Sequence, residues 1–150
     1  MKTLKVGDKV PEFSAKDQDG NTVSLSDYTG KNLIVFFYPK ANTPGCTAEA
    51  CNLGENYEAL RAKGYELLGV SADTEKKQLG FKTKYKLSYP LLADTDHVVL
   101  KAFGVWGPKK FMGREYDGIH RMTFIINGDG IVTKVIDKVR TKDHAAQLLE

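Results

Sequence analysis

Hydrophobic residues cluster along this chain in short blocks separated by turn formers. The run Asn32-Leu-Ile-Val-Phe-Phe-Tyr38 is apolar without alternation, which predicts a strand at 32–38 buried on both faces. Tyr65-Glu-Leu-Leu-Gly-Val-Ser71 predicts a second buried strand at 65–71. Between them the pattern predicts a helix over 47–63, with Gly64 where a C-terminal cap belongs. Ahead of them, Asp19-Gly20-Asn21 separates two short alternating segments within 13–25, a hairpin signal. A polar helix follows over 74–85, with Phe81 and Tyr85 one turn apart on its inner face. Next come a brief strand over 89–93 and a short helix through Phe103, capped by Thr95 or Asp96. Residues 104–118, rich in glycine and lysine, read as a loop carrying Trp106, Phe111 and Tyr116. Segments 120–126 and 131–136 flank Asn127-Gly-Asp-Gly130 and predict a closing hairpin, and 142–149 predicts an amphipathic helix.

Strand–helix–strand followed by hairpin–helix is the element order of a thioredoxin fold. The fold class is therefore α/β: a thioredoxin-like fold with a central mixed sheet flanked by helices and an added N-terminal β-hairpin. Crossover helices imply that 32–38 and 65–71 run parallel, and the last hairpin is antiparallel. With no repeats or linker-like stretches, 1–150 is expected to form a single domain.

Composition narrows the partners. The formal charge of +3 comes from interspersed signs, with no basic stripe interleaved with aromatics, so no nucleic acid is expected. The first residues have no apolar leader, and no run approaches the ~20 apolar residues needed to span a bilayer, so no membrane is expected and the location reads as cytoplasmic. In a reducing compartment a pair of thiols is more often catalytic or metal-binding than a structural disulfide.

Two cysteines are present, Cys46 and Cys51, and Cys46 falls where the first buried strand gives way to the helix. A thiol at a helix N-terminus meets free backbone N–H groups and the positive end of the helix dipole, and such thiols ionise more readily than free ones. Two prolines, Pro39 and Pro44, stiffen the loop before it. Five residues along one helix separate two Cα atoms by roughly 8–9 Å. A disulfide needs about 7 Å or less. Bonding the two sulfurs therefore requires the first turns to unwind, which suits a redox cycle better than a permanent staple.

The segment Pro39-Lys-Ala-Asn-Thr43-Pro-Gly-Cys46 resembles the Pro-x-x-x-Thr-x-x-Cys signature of the peroxiredoxins. Thr-Ala-Glu-Ala-Cys51 is similar to the bacterioferritin-comigratory, PrxQ-like subfamily, and the block from Trp106 through Phe111-Met-Gly-Arg-Glu-Tyr-Asp-Gly-Ile-His-Arg121-Met-Thr-Phe resembles that subfamily's second motif. The resemblance covers essentially the whole chain; Pro108 and Asn127 depart from the family pattern where relatives carry acids. It implies a thiol peroxidase for hydrogen peroxide and organic hydroperoxides. Cys46 would be the peroxidatic cysteine and Cys51 the resolving one; Thr43 and Arg121 would position the peroxide, and Pro39 would shield the sulfur. The implied reductant is thioredoxin or a similar dithiol. No cofactor or metal is required, and the chain is expected as a monomer or a weak homodimer.

Other readings of the same residues stand beside this one. The cysteines could be small buried hydrophobes, or part of a zinc site with His97, His120 or His144, although that spacing matches poorly. A general dithiol–disulfide oxidoreductase expects two intervening residues, not four. A peroxide-responsive redox sensor would use the same pair once per signal. Glu49 is a candidate hydrogen-bonding neighbour of the site, His120 reads as structural or solvent-facing, and Lys109-Lys110 as a solvated loop face.

Overall fold

The computed structural model describes residues 1–149; Glu150 lies outside the described residues. The elements in order are β1 (Ser14–Asp17), β2 (Thr22–Ser24), a 3-10 turn (Leu25–Tyr28), β3 (Asn32–Phe37), α1 (Pro44–Glu55), α2 (Tyr57–Ala62), β4 (Tyr65–Ser71), α3 (Glu75–Tyr85), β5 (Leu91–Ala93), α4 (Val98–Phe103), β6 (Trp106–Phe111), β7 (Arg114–Ile119), β8 (Met122–Ile126), β9 (Val132–Ile136) and α5 (His144–Leu149). Seven strands form one mixed sheet in the order β2-β1-β5-β4-β3-β8-β9. As the sequence predicts, β3 and β4 pair in parallel, and β8 and β9 pair antiparallel. This is the thioredoxin-like α/β arrangement, with the N-terminal hairpin added at one edge.

β3 is the middle of the molecule, and its unbroken apolar run follows from burial on both faces. Ile34, Phe36 and Tyr38 point to one side and pack with Cys46, Leu53, Leu60, Phe81 and Leu148 from the helices there. Leu33, Val35 and Phe37 point to the other and pack with Val10, Phe13, Leu100 and Phe103. Each such side chain removed from water contributes about 1.5–3 kcal/mol, so β3 is fixed in place by both layers.

Three elements differ from the sequence expectation. The helix predicted over 47–63 begins earlier, at Pro44, where proline suits the first helical position, and it breaks at Asn56. There the Asn56 side chain bonds the Asn52 carbonyl at 2.8 Å, offering the backbone an alternative to continuing the helix. α4 is capped by neither Thr95 nor Asp96: His97 takes the cap position with φ 61°, and Asp94 Oδ2 accepts the Leu100 amide N–H at 2.8 Å. The predicted loop at 104–118 is a regular hairpin, β6 paired with β7 over six residue pairs from Trp106↔Ile119 to Phe111↔Arg114. Met112 and Gly113 form its turn with φ of 51° and 79°, the left-handed pair that a tight hairpin turn demands.

Candidate active site

Strand pairing brings the two halves of the site together. β3 pairs antiparallel with β8 so that Phe37 lies opposite Met122 and Phe36 opposite Thr123. The residue just before β8 is Arg121, and the chain leaving β3 runs through residues 38–43 into α1. Both segments therefore meet at the same end of the sheet. Arg121 Nη2 donates to Cys46 Sγ at 3.2 Å, and Arg121 Nη1 donates to Glu49 Oε1 at 2.6 Å. One guanidinium thus bridges the sulfur and a carboxylate one helical turn further on.

Cys46 is the third residue of α1 and is fully buried. Gly45 allows the arginine this close: a Cβ there would lie 3.3 Å from Arg121 Nη2. The preceding loop is tied down from β4. Asp73 Oδ2 accepts the Ala41 amide N–H at 2.8 Å and the Ser71 hydroxyl at 2.7 Å. Thr43 caps α1 with extended backbone, but its hydroxyl turns away from the helix amides and donates to Lys40 O at 2.8 Å. Its lone pairs remain to accept. Pro39 is exposed at the exit from β3.

Cys51 lies on the same unbroken helix, half-buried, and both cysteines are free thiols. Burial, then the Glu55 carboxylate, pushes the Cys51 thiol up from its ordinary value. Tyr89 is fully buried against this helix, its hydroxyl donating to Ala50 O at 2.7 Å. Asn52 ties the helix to α5: its Nδ2 donates to Lys142 O at 3.1 Å, and its Oδ1 accepts the Ala145 amide N–H at 2.8 Å.

The electrostatics centre on Arg121. Burial opposes its charge, but Glu49 and Cys46 outweigh burial and its pKa is raised. Glu49 is fully buried; desolvation pushes its carboxyl up to about 7, with Arg121 pulling the other way. Lys109 is not the solvated residue the sequence implies. It is half-buried, its ammonium donates to Ile119 O at 2.8 Å, and burial followed by the nearby Arg121 charge lowers its pKa. Lys110 is exposed.

The structure thus joins Cys46, Arg121 and Glu49, places Thr43 at the start of the same helix, and leaves Cys51 further along it. Asp73, Tyr89, Asn52 and the buried His144 carry no sequence motif. Asp73 alone had an indirect signal, since loops at the same end of adjacent parallel strands lie side by side. His120 Nε2 lies 3.0 Å from Pro108 O and braces the hairpin, a structural role. Trp106 stacks on His97 with ring centroids 3.9 Å apart, whereas Phe111 and Tyr116 are exposed on the outer half of the hairpin. Among the described residues no cluster of three or more His, Cys, Asp or Glu is placed to hold a metal ion. Nor is any helix there long and apolar enough to cross a membrane.

Comparison with known proteins bears on this geometry. Residues 6–135 match the AhpC/TSA family. The chain is 49% identical over 144 residues to peroxiredoxin Bcp of Escherichia coli K12, covering 96% of this chain and 92% of that protein. It is 43% identical over 148 residues to peroxiredoxin Bcp of Bacillus subtilis, covering 99% and 94%. A cysteine-to-serine variant of PrxQ from Xylella fastidiosa superposes with a TM-score of 0.92 at 29% identity, over 99% of this chain and 95% of that one. The bacterioferritin comigratory protein of Xanthomonas campestris, studied for alkyl peroxide reduction in trapped intermediate and ligand complexes, superposes with a TM-score of 0.86 at 31% identity, over 91% and 87%. The chain belongs to the AhpC/TSA family, within its Bcp/PrxQ-like peroxiredoxins, and its activity is that of a thiol-dependent peroxidase.

Proposed function

We propose that the chain reduces hydrogen peroxide and organic hydroperoxides through a Cys46 sulfenic acid and an intramolecular Cys46–Cys51 disulfide, recycled by thioredoxin or a similar dithiol. The observation that carries this reading is the 3.2 Å contact from Arg121 Nη2 to Cys46 Sγ. The Cys46 thiolate attacks the near peroxide oxygen; the S–O bond forms as the O–O bond breaks, and the electron pair leaves with the far oxygen, which takes a proton to become water or an alcohol. Arg121 donates to the oxygens as charge moves between them, and a preorganised donor of this kind is worth about 3 kcal/mol. Thr43, whose own proton is held by Lys40 O, accepts the peroxide O–H. Pro39 limits the approach of water from the loop side.

The sulfenic acid then condenses with the Cys51 thiol, losing water as the disulfide forms. Both cysteines sit on one helix whose spacing exceeds disulfide reach, so α1 unwinds locally for this step. The elevated Cys51 thiol supports the division of labour, because a protonated thiol is a poor first nucleophile for peroxide. A dithiol reductant restores both thiols by exchange. All of these groups come from one chain, so the cycle needs no residue from a second copy, whether the chain is a monomer or a weak homodimer. Organic hydroperoxides are included on the strength of the Xanthomonas relative.

Stopped-flow oxidation of the reduced protein by hydrogen peroxide, followed through Trp106 fluorescence, tests the scheme. Wild type should give a fast second-order phase that Cys46→Ser abolishes. Cys51→Ser should complete one fast turnover and then stop. A reaction of wild type no faster than a free thiol's at the same pH would overturn the reading, and a Cys51→Ser protein that cycled at full rate with thioredoxin would remove Cys51 from it.

A further inference from the structure

Among the described residues two buried side-chain oxygens have no hydrogen-bond partner, Thr47 Oγ1 and Glu49 Oε2, and the second belongs to a carboxylate. Glu49 Oε1 is bonded to Arg121, but Glu49 Oε2 makes no hydrogen bond, although the residue is fully buried. Facing it at 3.6 Å is Nε2 of His144, also fully buried, on α5. The state of that imidazole follows from its neighbours. Gln147 Oε1 accepts the Arg140 amide N–H at 2.7 Å, and Gln147 Nε2 donates to Lys138 O at 2.9 Å, which fixes the oxygen end of the amide. His144 Nδ1 lies 2.8 Å from that oxygen and therefore carries a hydrogen. Nε2 lies 2.7 Å from the Thr123 hydroxyl, which donates or accepts as required, so Nε2 is free to hold or to lack a proton.

A carboxylate oxygen and an imidazole nitrogen 3.6 Å apart in buried space, too close for a water to fit between them, repel unless a proton lies between them. We propose that Glu49 and His144 share one proton across this gap, and that His144 is thereby a positioning residue for Cys46 oxidation, acting through Glu49 on Arg121. The proposal rests on the peroxidase reading above and extends it to a residue outside the signature motifs.

The consequence is electrostatic. The charged or titratable groups around the pair are Cys46 on α1, Arg121 ahead of β8, Tyr89 ahead of β5, and Arg140 beside His144. With the shared proton in place the pair is neutral overall, and the Arg121 charge is directed to the Cys46 sulfur. Once the proton leaves, Glu49 is a full anion 2.6 Å from Arg121 and competes with the sulfur for it. Burial pushes the Glu49 carboxyl up to about 7 and the His144 imidazole down, so the carboxyl competes for a proton the imidazole would otherwise hold. The rate constant for Cys46 oxidation then carries a descending limb as pH rises through the pair's titration.

Two measurements decide this. Proton NMR of the His144 ring in the reduced protein, over about pH 5 to 9, is compared between wild type and Glu49→Gln, with His144→Gln assigning the resonance; the titration step should move by about half a unit or more. An unmoved step overturns the proposal. In His144→Gln the amide donates to Glu49 Oε2 but takes no proton. The descending limb of the oxidation rate should therefore move to lower pH by about one unit. A rate scaled equally at every pH would assign His144 a structural role only. Should His144→Gln fail to fold, its pH dependence is replaced by the Glu49→Gln arm, with the other two histidines assigned by His97→Gln and His120→Gln. The NMR measurement involves no turnover, so it stands or falls apart from the peroxidase reading.

Discussion

Arg121 and Cys46 are 75 residues apart in sequence, yet Nη2 of one lies 3.2 Å from Sγ of the other. The antiparallel register of β3 with β8 produces this, by ending one strand and starting the other at the same edge of the core. A planar guanidinium is required, because the same group also holds Glu49. Lysine offers a single point charge and cannot bridge both. Arg121→Lys and Arg121→Gln should each lower the second-order rate constant for Cys46 oxidation by about a hundredfold or more, with far-UV circular dichroism unchanged. A loss below about threefold in stopped flow would contradict the bridging role.

Gly45 sets the distance. Alanine there introduces a Cβ 3.3 Å from Arg121 Nη2, closer than ordinary packing permits, so the guanidinium must retreat. Alanine is also the better helix former, by about 0.5–1 kcal/mol in a helix interior. Gly45→Ala should therefore keep or slightly raise thermal stability while slowing peroxide reduction about tenfold. Scanning calorimetry and stopped flow on the same preparation separate the two effects.

Tyr89 restrains the helix between its two cysteines. Tyr89→Phe removes the hydroxyl that bonds Ala50 O and should cost about 1 kcal/mol of stability. α1 would unwind more readily, so disulfide formation after oxidation should be faster, while the first oxidation step changes little. Rapid quench with a thiol-alkylating agent reads the two steps apart; equal slowing of both would count against a latch.

The Glu49 carboxyl gives a signed pH dependence. Its folded value of about 7 lies above the ordinary 4.5, so the native state binds the proton more tightly than the unfolded chain. This contribution is fully present below the unfolded value and is lost as pH rises from about 4.5 to about 7, an order of 3 kcal/mol in all. Glu49→Gln should remove that slope. Urea unfolding at several pH values across the window checks it, and a wild type minus variant difference that does not change with pH would refute it.

How much of this was legible in the sequence depends on whether the information was local. β3, β4 and the closing hairpin were, because two-sided burial and Asn-Gly turn chemistry leave marks in a few consecutive residues. The β6–β7 hairpin was not: Gly107, Pro108 and two lysines obscure its strand pattern, and its turn uses Met112 in a conformation usually given to asparagine or glycine. The break at Asn56 depends on a side chain competing with its own helix. At the site, the cysteines were visible through their placement and spacing, and Thr43 and Arg121 through resemblance. His144 was not visible as a site residue, since its partners Thr123 and Glu49 lie on other elements and only packing brings them together, and Asp73 left only the indirect signal of loops that share one end of adjacent parallel strands.

The register of β3 against β8 also bears on the chain before it is finished. The arginine contact requires a strand that begins at residue 122, so a growing chain that has already formed β3 and α1 still lacks the group that engages the sulfur. The contact of Arg121 with the Cys46 sulfur is thereby absent until synthesis and folding have passed the eighth strand, and partly made or misfolded copies carry both cysteines without it.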